Sequence, residues 1–118
     1  AAAAHGAATV RNLLNNGLWD GEDYRIFYNV NFPPITGDKV MGLRVSPQGY
    51  RQDCFFGVEP HMSPSGRKFL WIKGGPQHHP TTPGTDVSDC LEGYISVTPM
   101  RADLTAHDTI AWLKDQLE

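Results

Sequence analysis

The apolar positions first follow a helical spacing. Ala7, Val10 and Leu14 fall at i, i+3 and i+7 with Leu13 beside them, which predicts a helix over residues 3–16. Asn15-Asn16-Gly17 tolerate a left-handed turn and are expected to end it. The period then shifts to two. In "YRIFYNVNF" (residues 24–32) Ile26, Tyr28, Val30 and Phe32 share one face, and Arg25, Phe27, Asn29 and Asn31 the other. Pro33-Pro34 cannot donate to a ladder and stop that strand. "KVMGLRV" predicts a second strand with Met41, Leu43 and Val45 on one side. "RQDCFFGV" and "KFLWIK" predict a strand pair around the turn residues Pro64-Ser65-Gly66, making a projecting hairpin or arm over residues 50–73.

The Gly- and Pro-rich "GGPQHHPTTPG" is a loop, expected to be mobile. "DVSDCLEG" predicts a short helix with Asp86 as N-cap and Gly93 just past its end. "YISV" is a brief strand ended by Pro99. A C-terminal helix follows over residues 105–118, with Thr105 and Asp108 as a capping-box-like pair and a stripe of Ala106, Ile110, Leu113 and Leu117. The order is mixed α/β. Both outer helices carry stripes that need a partner surface.

At 118 residues and 40% apolar content the chain forms one domain at most. Ten basic and thirteen acidic side chains, a net charge of −3, argue against a nucleic-acid polymer as partner. No run approaches the length of a membrane span and no basic leader precedes an apolar core, so no membrane partner is expected and the expected location is cytoplasmic. Four alanines lead straight into helical periodicity without an initiator Met. Both a natural start and a piece of a longer chain fit that opening.

Candidate chemistry is scattered. Asp20, Glu22 and Asp23 lie in a surface-like turn, while Asp86, Asp89 and Glu92 read as helix-start and solvent-face residues. His78-His79 is the most metal-like pair, but adjacent residues point apart and no third ligand has useful spacing. His5 and His61 have no evident partner, and Cys54 and Cys90 have no metal spacing. Asp103 and His107 are better explained by local hydrogen bonding at a helix start than by acid–base chemistry with Thr98 or Thr105. Arg51, Phe55, Phe56, Arg67, Lys68 and Trp71 interleave charge and aromatics, which suits packing on another subunit better than base stacking. Phosphate-cradling and dinucleotide-binding glycine motifs are absent. The residues alone name no catalytic, cofactor-binding or metal-binding site.

The segments "YNVNFPP", "GLRVSPQGYR", "SPSGRKFLWIKG", "PGTD" and "EGYISVTPMRADLTAH" resemble, in that order, the C-terminal half of the SurE family, the survival-protein 5'/3'-nucleotidases. The resemblance spans nearly all of residues 7–118. It implies the C-terminal part of a Rossmann-like α/β fold with a projecting β-hairpin and a C-terminal helix. It also implies metal-dependent hydrolysis of nucleoside monophosphates, with Mg or Mn held by paired acids in an N-terminal half. Those acids have no counterpart among residues 1–118, so this segment alone is expected to be inactive. The loop from Gly74 to Asp86 is the part best suited to approach substrate. Family members form dimers, often paired into tetramers, so a homo-oligomer is implied. A fragment, one chain of a split enzyme and a non-catalytic oligomerisation or binding module all remain open.

Overall fold

The computed structural model describes residues 1–51 and 55–118. Residues 52–54, in the expected first strand of the arm, lie outside the described residues, and Cys54 with them. Three helices and five strands follow in the order α1 (Ala2–Asn16), β1 (Phe27–Asn31), β2 (Gly42–Val45), β3 (Gly57–Met62), β4 (Lys68–Lys73), α2 (Asp86–Leu91), β5 (Tyr94–Met100) and α3 (His107–Leu117), with one 3-10 turn at Gly37–Lys39. The expected mixed α/β class is what the chain adopts.

β5 is the middle of a three-stranded sheet, antiparallel to β1 on one side and parallel to β2 on the other. The register sorts side chains by chemistry. Tyr28, Val30, Leu43, Val45, Ile95, Val97 and Pro99 share one face; Asn29, Asn31, Arg44, Ser96 and Thr98 share the other. α2 packs on the polar face, and α1 borders an apolar groove of about 630 Å³ on the opposite side. Among the described residues, Ile95 and Val97 are the only buried hydrophobic side chains.

The hairpin β3–β4 stands apart as a two-stranded sheet whose strand positions are all exposed. One face aligns Val58, Pro60, Leu70 and Ile72; the other aligns Glu59, His61, Phe69 and Trp71. His61 stacks on Phe69 at 5.7 Å, and Lys73 pairs with Glu59 at 3.0 Å. The whole is spread out. Its radius of gyration is 19.4 Å, against roughly 13.5 Å for a compact chain of this length. Its accessible surface is 9354 Å², against about 6,400 Å² for a compact protein of this mass.

Several local expectations need correction. The arm's first strand is Gly57–Met62, further along than "RQDCFFGV" suggested. Pro60 is tolerated there because each strand of a two-stranded sheet has an open edge. β5 runs through Pro99 to Met100, beyond "YISV". Pairing with β2 has ended at Val97, so Pro99 faces only Tyr28 of β1 and loses no bond on the β2 side. Gly17 closes α1 in an extended conformation, not a left-handed one. Thr85, not Asp86, caps α2 by accepting from the Ser88 amide. α3 begins at His107 with no side-chain cap, so the Thr105–Asp108 pair does not form.

Candidate functional site: a polar cleft between β1 and α2

Beside the polar face of the sheet lies a cleft of about 420 Å³, lined by Asn29, Asn31 and Phe32 from β1 and its exit, Arg51, Gln77 and His78 from loops, and Asp86, Cys90 and Leu91 from α2. The alternation Asn-Val-Asn puts both amides on one side of β1, opposite Thr98 and Ser96 of β5. Asn31 donates to Ser96 Oγ at 3.4 Å. Asn29 is exposed and its side chain makes no hydrogen bond among the described residues.

The loop wall is fastened to the segment before the arm. The Gly49 amide donates to Asp86 Oδ1 at 2.7 Å, the Asp86 amide to Pro47 O at 3.0 Å, and Thr81 Oγ1 to Tyr50 O at 3.0 Å. A Cβ at Gly49 would meet Thr85 Oγ1 at 2.6 Å, so this crossing requires glycine. Arg51 donates to Gln77 O at 2.5 Å and makes no ion pair among the described residues. Gln77 and His78 thus bring the loop expected to approach substrate to the cleft's rim.

The carboxylates of α2 are committed to structure. Asp86 Oδ1 also accepts from the Val87 amide at 2.8 Å. Asp89, expected on a solvent face, is 2% exposed. Arg44 NH1 donates to Asp89 Oδ1 and to Glu92 Oε2, both at 2.8 Å, while its guanidinium carbon lies 3.5 Å from the Tyr94 ring centroid. Those bonds, Asp89 first, raise the Arg44 pKa further above its ordinary value. One arginine therefore ties β2 to α2.

The remaining candidates do not converge. Among the described residues there is no group of three or more His, Cys, Asp or Glu able to hold a metal ion. His5 bonds to Gly37 O at 2.8 Å, and His61 belongs to the hairpin's aromatic face. Phe55, Phe56, Arg67, Lys68 and Trp71 are exposed on or beside the arm. His107 Nε2 lies 2.5 Å from Asp103 Oδ2, and the Thr105 amide donates to Asp103 Oδ1 at 2.9 Å. The His107 bond is the main reason that the Asp103 carboxyl sits well below the usual aspartate range. The contact secures the turn before α3. The signal for the cleft was the matching of two polar alternations, Asn-Val-Asn on β1 and Ser-Val-Thr on β5, which only pairing reveals.

No family model matches the chain. Individual proteins do. A protein named 5'-nucleotidase SurE from Cereibacter sphaeroides is 65% identical over 113 residues, covering 96% of this chain and 43% of that protein. One of the same name from Dinoroseobacter shibae is 55% identical over 117 residues, covering 99% of this chain and 45% of that protein. This chain belongs to the SurE family. The crystal structure of SurE protein from Aquifex aeolicus superposes with a TM-score of 0.61 at 31% identity, covering 96% of this chain and 44% of that one. The chain spans less than half the length of the curated relatives it matches. Among the described residues no helix is long and apolar enough to cross a membrane.

Proposed function

We propose that this chain works as the C-terminal part of a metal-dependent phosphomonoesterase that hydrolyses nucleoside monophosphates. The observation that carries the reading is the 65% identity, sustained over 96% of the chain, to a protein named 5'-nucleotidase SurE. Among the described residues no group of three or more His, Cys, Asp or Glu could hold a metal ion, and in this reading the ion's paired acids lie in the rest of the enzyme. This segment's share of the work is a wall of the substrate pocket and surface for assembly into a homo-oligomer. The segment exposes about 3,000 Å² more surface than a compact protein of its mass, area that the rest of the enzyme and a second subunit can both cover.

The test compares the isolated 118-residue segment with the complete protein. The complete protein is expected to hydrolyse nucleoside monophosphates with Mn²⁺, to lose that activity to a chelator and to regain it when metal is restored. The isolated segment is expected to be inactive under the same conditions. Metal-dependent turnover by verified segment alone would overturn the division of labour. A complete protein that stays inactive with Mg²⁺ and Mn²⁺ would favour a non-catalytic assembly module, the reading to which the exposed arm also lends weight.

A further inference from the structure

We infer that the polar cleft between β1 and α2 receives the base and sugar of the nucleotide, with Asn29, Asn31 and Arg51 as its recognition groups. The inference rests on the nucleotidase reading above and deepens it. The first support is the sheet face behind the cleft. Ser96 is fully buried and Thr98 is 4% exposed with its hydroxyl unpartnered among the described residues. A face built for stability alone would carry apolar side chains there, as the opposite face of this sheet does. Two amides stand out from this polar floor. The Asn29 side chain makes no hydrogen bond among the described residues, and that of Asn31 spends only its amide nitrogen, on a long contact to Ser96.

Arg51 is the second support. One bond to Gln77 O orients its guanidinium, and with no carboxylate in ion-pair range among the described residues its other N–H groups can reach a ligand. Neutral amides and a planar guanidinium fork suit the ring heteroatoms of a base and the hydroxyls of a ribose. Phe32 and Leu91 add apolar wall, and about 420 Å³ falls in the size range of small-ligand pockets.

Charge decides against the phosphate itself. The buried Asp86 carboxylate lines the same cleft as Arg51, so the two formal charges cancel. A phosphate dianion gains little from such a site and is repelled by Asp86. The cleft thus fits the uncharged part of the substrate, and the ester is held outside this chain.

The test measures kcat/KM of the complete enzyme for adenosine monophosphate and for glycerol phosphate, which lacks base and ribose. Arg51→Ala and Asn29→Ala are the variants, and far-UV circular dichroism checks folding. The Asn29 side chain is exposed and has no hydrogen-bond partner among the described residues, so its truncation spares the fold. Each variant is expected to lower the preference for the nucleotide at least about tenfold, the weight of one hydrogen bond to a charged or well-placed group. The loss is expected in KM more than in kcat. Arg51→Lys keeps the charge but not the fork, and is expected to recover only part of the preference. Equal losses on both substrates, or none on either, would overturn the cleft assignment and leave the nucleotidase reading standing. A wild type that hydrolyses neither substrate would sink the nucleotidase reading, and this inference with it.

Discussion

The sheet and the arm are made of similar letters and end in opposite states. "YISVTPM" in β5 is flanked by strands on both edges and covered by α2, so that Ile95, Ser96, Val97 and Thr98 are all buried. "KFLWIK" in β4 is more apolar, yet every residue is exposed because only β3 touches it. Hydrophobicity supplies the driving force for burial, but the number of neighbours sets how much of it is realised. The sheet stabilises itself. The arm leaves its apolar area exposed.

The sharpest way to test that contrast begins at the middle of the sheet. Ile95→Ala in the complete protein is expected to cost about 2–5 kcal/mol by urea unfolding, since it removes most of a buried aliphatic side chain. The cost should not depend on protein concentration. A cost below 0.5 kcal/mol, the scale of surface changes, would mean that β5 is not the core strand.

The arm should behave in the reverse way. Phe56→Ser with Trp71→Ser removes two exposed aromatics, 76% and 59% accessible. Light scattering on the complete protein is expected to show a smaller assembly, with circular dichroism unchanged. Any loss of thermal stability should shrink as concentration rises. An unaltered oligomer would take these residues out of the interface, and a strictly monomeric wild type would end the proposal.

The smallest effect is expected at the start of α3. His107→Ala removes the main bond holding the Asp103 carboxyl low, so its titration followed by NMR should move up toward the ordinary aspartate value of about 3.9. The sign follows from linkage. A carboxyl lowered in the folded state stabilises it above the unfolded value, and that contribution disappears as pH falls through the lowered one. In the variant, fraying of α3 near neutral pH is therefore expected while the sheet stays intact. A carboxyl titration that does not move would remove His107 from the contact.

Among the described residues, sequence periodicity located the three helices and four of the five strands, but it set the arm's first strand over "RQDCFFGV", short of Gly57–Met62. It failed at the ends of elements. Pro99 reads as a stop and becomes a strand residue, since the bond it cannot make falls where β2 has already ended. Pro60 misleads for a related reason, on a strand with an open edge. Thr105 with Asp108 has the letters of a cap, but Asp103 captures both the Thr105 amide and His107 first. The site was less legible than the fold. Arg44 and Asp89 are 45 residues apart and Gly49 and Asp86 are 37 apart, and no local pattern marks such pairs. The resemblance to the SurE family identified the chain where spacing could not, because it rests on the order of whole segments.

The place of β5 in the sheet also fixes an order of events during synthesis. Among the described residues β1 and β2 do not pair with each other, and each pairs with β5. Asn31 and Ser96, which close one end of the ladder, are 65 residues apart. Within this segment a ribosome thus releases both strands and the whole arm before the strand that joins them emerges. The arm can zip locally around Ser63 and Arg67 while it waits. β1 and β2 can take up this pairing only once the last quarter of the segment has been made.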